Sequence, residues 1–290
     1  MGSRGWVSRR FAKWQRKTEI YALRHGPGAV SDRACVKRDA RQESPRVLAA
    51  VRDIYRQSKK KNDNVWTEYV SRPPAAVLVW LLKGTRVTPN QVSFAAIAVA
   101  AAGCATLILW RTWLGLVASG LILQLAYVID CVDGQLARLT KQTSPVGALL
   151  DFMLDEVKAF LVIGSCAVRQ WWVTGFDARW LVIGIGGLFA AAVGITLTTF
   201  MRRPEYLAAT GGKPIADATE RGGHAPRSLH PVALVEAAGR FVLHYPSWFL
   251  FICAFDRLDI FLYAYLGAHV LYLGRASLTI VVKLGRFRKG

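Results

Sequence analysis

Four aspartates stand where a run of apolar sequence should exclude them. Asp130 and Asp133 lie three residues apart at the end of a long uncharged stretch, and Asp151 and Asp155 lie four apart in the next one. A helix turns about 100° per residue, so each pair shares one helix face. Gly134, Ala137 and Arg138 fall on the first face and Gly147 on the second. Antiparallel helices joined by a short loop would bring the two faces together. Like charges so close repel strongly at an intermediate dielectric. Either protonation or bound cations must hold them there. An all-oxygen donor set suits Mg²⁺, Mn²⁺ or Ca²⁺ better than Zn²⁺. Two divalent ions balance four carboxylates, and paired metals are a device for phosphoryl transfer. Arg138 is placed to meet a phosphate, and the small Gly134, Ala137 and Gly147 leave room for a ligand or a second backbone.

Weaker candidates surround this core. Arg202, Arg203 and Arg275 are candidates for an acceptor or lipid phosphate, though Arg202 and Arg203 equally serve topology and Arg275 can snorkel. Lys141, in the short loop, is open to the same two readings. Glu156 and Lys158 read as pointing off the Asp155 stripe, in a supporting or interfacial place. The five cysteines (35, 104, 131, 166, 253) have no CxxC pair and read as reduced packing residues. The five histidines have no metal-ligand spacing. Gly211-Gly212-Lys213 lacks the rest of a phosphate loop.

The elements that position the aspartates follow from hydropathy and charge. The chain has 290 residues, is 53% apolar and carries a net charge of +19, which excludes a disordered basic tail protein. Residues 1–61 hold 17 Lys/Arg against 5 Asp/Glu, while residues 89–129 hold Arg111 alone. A basic head on long uncharged runs argues for a membrane protein and against a nucleic-acid partner. Six spans are expected: Pro89–Trp110, Trp113–Ile129 continuing to Arg138, Pro145–Val168, Trp180–Met201, the short Phe241–Phe255, and Ile260–Val282. With both termini in the cytoplasm, the cytoplasmic segments hold 32 Lys/Arg and the other side four, Arg111, Arg169, Arg179 and Arg257, which satisfies the positive-inside rule. No apolar run precedes residue 75, so no leader is expected. Trp110, Trp113, Trp171, Trp172 and Trp180 would form the outer aromatic belt.

Thr88-Pro89-Asn90-Gln91 reads as a capping box with proline at the first helical position, and Ser144-Pro145 repeats the cap. Residues 7–21 and 44–55 have apolar residues near helical spacing among many basic ones. They read either as helices on an anionic membrane face or as a solvated tail. The expected fold is thus an all-α integral membrane protein of six transmembrane helices with an N-terminal basic amphipathic extension. It divides into an extension, 1–62, and a membrane domain, 63–290.

The series Asp130-x2-Asp133-Gly134-x2-Ala137-Arg138-x8-Gly147-x3-Asp151-x3-Asp155 resembles the signature of the CDP-alcohol phosphotransferases, and the Thr88-Pro89-Asn90 start resembles that family's first transmembrane helix. The resemblance implies a membrane enzyme that moves a substituted phosphoryl group from a CDP-linked donor to an alcohol and releases CMP, in most cases to make phospholipid. It implies that Asp130, Asp133, Asp151 and Asp155 bind two divalent metals, Mg²⁺ or Mn²⁺. Gly134, Ala137 and Arg138 would line the CDP site, and Asp155 would also act as general base. It suggests a homodimer.

The segment Phe152-Met153-Leu154 lacks the proline expected of bacterial phosphatidylglycerophosphate synthases. The loop does not match the phosphatidylserine-synthase or phosphatidylinositol variants clearly, which leaves the acceptor open. Residues 1–62 are too short for the cytidylyltransferase domain that some relatives carry. The expected donor is CDP-diacylglycerol, with a CDP-linked small alcohol (inositol, choline or ethanolamine type) as the alternative. A transporter or channel would spread its acids across membrane depth, and a non-catalytic scaffold would be expected to lose a motif residue. Neither pattern is present.

Overall fold

The computed structural model describes residues 47–58, 64–210, 238–239 and 241–286. The expectations for residues 7–21, Cys35 and the Gly211-Gly212-Lys213 segment lie outside them. Among the described residues every regular element is helical, as expected. Helix α1 covers 47–57. A π-helical turn at Thr67–Ser71 leads into α2 (Arg72–Leu82). Then come α3 (Pro89–Leu109), α4 (Trp113–Leu139), α5 (Pro145–Val173), α6 (Arg179–Met201) and α7 (Pro204–Thr210). A 3₁₀ turn at Tyr245–Ser247 precedes α8 (Phe249–Ala254) and the long α9 (Leu258–Arg286).

The helix starts follow from local chemistry. Thr88 and Gln91 form the expected capping box at α3, each side chain accepting from the other's backbone N–H. Ser144 Oγ accepts from Gly147 N at 3.0 Å, with Pro145 at the first helical position of α5. Thr112 caps α4 in the same way. These caps satisfy N–H groups that the first turn leaves unpaired.

Helices α3, α4 and α6 and the Leu258–Lys283 part of α9 are long and apolar enough to cross a membrane. Helix α5 is long enough at 29 residues. It falls short in composition, because Asp151, Asp155, Glu156, Lys158 and Arg169 interrupt it. The expected continuous span Phe241–Phe255 is corrected. Pro246 sits in the 3₁₀ turn, and α8 has only six residues, about 9 Å of helix against the roughly 30 Å of a bilayer core. The segment is nonetheless extended along α4. His244 bonds Tyr127 at its upper end, and Ala254 O accepts from Trp113 Nε1 at 3.0 Å at its lower end. Those α4 positions are fourteen residues apart, about 21 Å along the axis.

The helices close into a ring. Helix α4 packs on α3, α3 on α5, α5 on α6, α6 on α9, α9 on α8, and α8 back on α4. The two aspartate helices α4 and α5 therefore do not pack closely on each other. Each packs on α3, and the space between them opens into a cleft. Leu107, Leu116, Val162, Ile163, Cys166, Phe249 and Phe261 fill the opposite end of the ring. Helices α5 and α6 come so close at Gly184 that a Cβ there would collide with the Cβ of Ala167. A second apolar cluster joins Ile54 of α1 to Ala75, Ala76 and Val79 of α2 and to Val128, Val132 and Leu136 of α4.

Arg169, expected as an outer topology charge, is only 3% exposed. Its guanidinium donates to the carbonyls of Leu107, Trp110, Arg111 and Thr112 at 2.9–3.2 Å. It thereby closes the open C-terminal end of α3. Trp180, expected in the aromatic belt, is buried against Tyr263 instead. The described cysteines are all free thiols, as expected.

Candidate active site

Helix α4 ends in a tight reversal that aims α5 back along the ring. Lys141 takes a left-handed backbone (φ 56°). Its N–H bonds the Arg138 carbonyl, and Gln142 N bonds the Ala137 carbonyl at 2.9 Å. This is the Schellman pattern, built on lysine where glycine is usual. The loop returns the chain at Ser144, and the aspartate stripes of α4 and α5 then face each other across the cleft.

Asp130, Asp151 and Asp155 each offer a carboxylate oxygen within 4.8 Å of the others. Asp133 lies one turn away on α4 and is 6% exposed. Its carboxylate accepts a short hydrogen bond from Ser93 Oγ of α3. Oxygen donors gathered from two helices, with the fourth anchored from a third, fit a hard divalent cation.

A lysine stands among these carboxylates. Lys158 Nζ pairs with Asp130 and, at 2.7 Å, with Asp155 Oδ1. Its side chain is 6% exposed, while Asp155 opens to the cleft at 55%. The expectation that Lys158 points off the stripe is corrected. It lies seven residues after Asp151, two full turns on, which returns it to within about 20° of that residue.

Arg138 folds back over its own helix. A Cβ at Gly134 would meet its Nη1 at 3.4 Å, so glycine leaves the guanidinium its place. Arg138 Nε donates to the carbonyl of Ser58 at 2.9 Å, just beyond α1.

One cleft of about 490 Å³ gathers Asp130, Asp133, Gly134, Arg138, Asp151, Asp155 and Arg202. Arg202 is exposed and lies over the Phe152 ring at 5.8 Å. Ala137, half-buried, does not line this cleft, and neither do the exposed Arg203 and Arg275. Gly147 serves the Ser144 cap beside Asn90.

The far wall was not legible from spacing. Tyr127 hydroxyl bonds Thr67 Oγ1 at 2.6 Å and His244 Nε2 at 2.8 Å, and His244 Nδ1 bonds Ser247 Oγ at 2.5 Å. Arg72, buried at the start of α2, and His269 complete that side. Tyr127 lies three residues before Asp130, on its face, and that spacing was the one available signal. His244 comes from 117 residues further along the chain.

Comparison with known proteins bears on the family of the chain. A family model described as CDP-alcohol phosphatidyltransferase matches residues 86–252. Over 158 residues the chain is 31% identical to a protein of Rubrobacter xylanophilus named bifunctional IPC transferase and DIPP synthase. The match covers 53% of this chain and 32% of that protein, so the chain spans about a third of the length of the curated relative it matches. The family match holds all four aspartates, Gly134, Ala137, Arg138, Arg202 and Arg203, and ends before Arg275.

Proposed function

The chain belongs to the CDP-alcohol phosphatidyltransferase family, and from that premise we propose that it is a membrane transferase of phospholipid biosynthesis. It moves a phosphatidyl or other substituted phosphoryl group from a CDP-linked donor to an alcohol, and CMP leaves. The observation that carries this reading is the grouping of Asp130, Asp151 and Asp155 within 4.8 Å in a cleft shared with Asp133, Gly134 and Arg138.

In this reading Asp130, Asp133, Asp151 and Asp155 hold two divalent cations, Mg²⁺ or Mn²⁺. When bound, such cations polarise the donor phosphate and offset charge on the departing CMP. Ser93 anchors the Asp133 carboxylate at the wall of the cleft that Asp133 lines, as partners of metal ligands do. Gly134 leaves space for the nucleotide phosphates beside the Arg138 guanidinium, and Ala137 supports that same site from α4. Asp155, the most open of the aspartates, receives the acceptor's proton. A carboxylate is a weak base for an alcohol, so the proton transfers late, as the new O–P bond forms and the bond to CMP breaks. Arg202, with Arg203 and Arg275 as more distant candidates, serves an acceptor or lipid phosphate.

The topology in this reading has six crossings, with the termini and the active site on the cytoplasmic side. Helix α5 crosses with its charged stripe toward the cleft, and Val146, Leu149 and Met153, all well exposed, meet lipid. The 244–254 segment supplies the fifth crossing as a broken element rather than one helix. The basic residues 1–62, whose helix α1 packs on α2 and α4, precede a catalytic domain of 63–290, and the protein works as a homodimer.

CDP-diacylglycerol is the proposed donor, with a small polar alcohol as acceptor. The Rubrobacter relative is named for IPC transferase and DIPP synthase activities, with no phosphatidyl group in the name, and on that similarity a second reading takes a CDP-linked small alcohol as donor. Mass spectrometry of products from the purified protein separates them. CDP-diacylglycerol and CDP-inositol would each be offered with Mn²⁺ and a panel of glycerol 3-phosphate, inositol, inositol phosphate and serine. A phosphatidyl product supports the first reading. A product from CDP-inositol alone selects the second, and no product from either defeats both.

A further inference from the structure

We propose that Lys158 is a built-in competitor for the cation site, so that Asp130 and Asp155 are held either by its ammonium or by a divalent ion. The inference rests on the two-metal reading above. Nothing in the family signature uses this position, which lies three residues beyond the last aspartate.

The geometry is that of a charge placed inside a ligand set. Lys158 Nζ pairs with one oxygen of Asp130 and one of Asp155. Those residues, with Asp151, are the three whose oxygens converge within 4.8 Å. A divalent ion held by the oxygens that Lys158 pairs with would compete with the ammonium for them, because both are cations and repel at such close range. The two occupants therefore exclude each other. Lys158 is suited to yield. Its ammonium is a point charge on a flexible four-carbon stem, and it borders the open cleft. Once moved aside it remains within the cleft, where a donor's phosphate is the nearest anionic partner that the proposed reaction supplies. The lysine thus keeps the carboxylates from repelling one another before loading and adds positive charge beside the phosphates after it.

Competition has a measurable cost. When only a fraction of the protein has its site open, apparent affinity falls by that fraction. A pair formed nine-tenths of the time or more weakens metal binding by about tenfold or more. Removing the ammonium should restore that factor.

The test is a Mn²⁺ titration of the full chain in detergent, followed by the electron paramagnetic resonance of free Mn²⁺. Lys158→Met is compared with wild type. The variant is expected to bind about tenfold tighter or better and, without Mn²⁺, to melt at a lower temperature than wild type. Equal or weaker binding by the variant, with wild type binding normally, overturns the inference and leaves the two-metal reading standing. No binding by either protein defeats the two-metal reading itself. If Lys158→Met does not fold, wild type alone decides the matter. Mn²⁺ should speed acylation of Lys158 by an amine-reactive reagent, read by mass spectrometry. A rate unchanged or slowed by Mn²⁺ contradicts the proposal.

Discussion

Arg138 Nε and the carbonyl of Ser58 are 2.9 Å apart, which ties the aspartate face of α4 to the residue that follows α1. An arginine placed to meet donor phosphate is thus held by a segment that precedes the matched family region. Ile54, 4% exposed, docks that segment onto α2 and α4. Replacing Ile54 with Asp would put a charge into this apolar contact and release α1. The loss of one hydrogen bond to a charged group should raise the donor KM about tenfold and change kcat less. Steady-state CMP release at varied donor concentration checks this, and an unchanged KM would contradict the positioning role.

Ser93 and Asp133 give a second test. Both are buried, and the serine hydroxyl donates to that carboxylate. Ser93→Ala leaves a carboxylate oxygen without this donor. Partners that orient metal ligands typically matter by about 10- to 100-fold in affinity or rate. CMP release by Ser93→Ala should fall within that range, while Ser93→Thr, which keeps the hydroxyl, should retain most of it.

Arg169 separates stability from chemistry. It lies at the end of α5 away from the aspartates and closes four carbonyls around the end of α3. Arg169→Met fits the space but leaves buried carbonyls unpaired, at a cost of about 2–4 kcal/mol. Thermal melting in detergent should show a clear loss, with KM for the donor unchanged in the folded fraction.

Lys141 occupies a left-handed position at φ 56°, where a side chain costs roughly 1 kcal/mol that glycine avoids. Lys141→Gly is expected to raise the melting temperature. A lowered one would mean that the lysine side chain makes a contact worth more than the backbone strain.

The parts legible in the sequence were those written locally. The capping box at Thr88 and the cap at Ser144 need only residues three apart. The aspartate stripes need only helical periodicity. Lys158 is within reach of the same arithmetic, since two turns separate it from Asp151, although its angle to Asp155 sets it off that residue's stripe. The break between the 3₁₀ turn and α8 is marked in the sequence by Pro246, which interrupts the apolar run Phe241–Phe255. Arg169 looked like a topology charge because its four carbonyl partners belong to another helix end. Of the Tyr127–His244 wall, spacing marks only Tyr127, because His244 reaches it from 117 residues further along the chain. The closeness of α4 and α5 was overestimated for a related reason. A short loop fixes that two helices are neighbours in sequence, but α3 packs between them and leaves the cleft that the chemistry needs.

Acceptor-dependent CMP release by the purified protein with Mn²⁺ tests directly whether this cleft performs carboxylate-dependent phosphoryl transfer. Wild type should release CMP, and Asp155→Asn, which keeps the shape and removes the base and ligand, should lose about 100-fold or more. Asp130→Asn should fall alongside it. Release by Asp155→Asn at the wild-type rate would contradict the account.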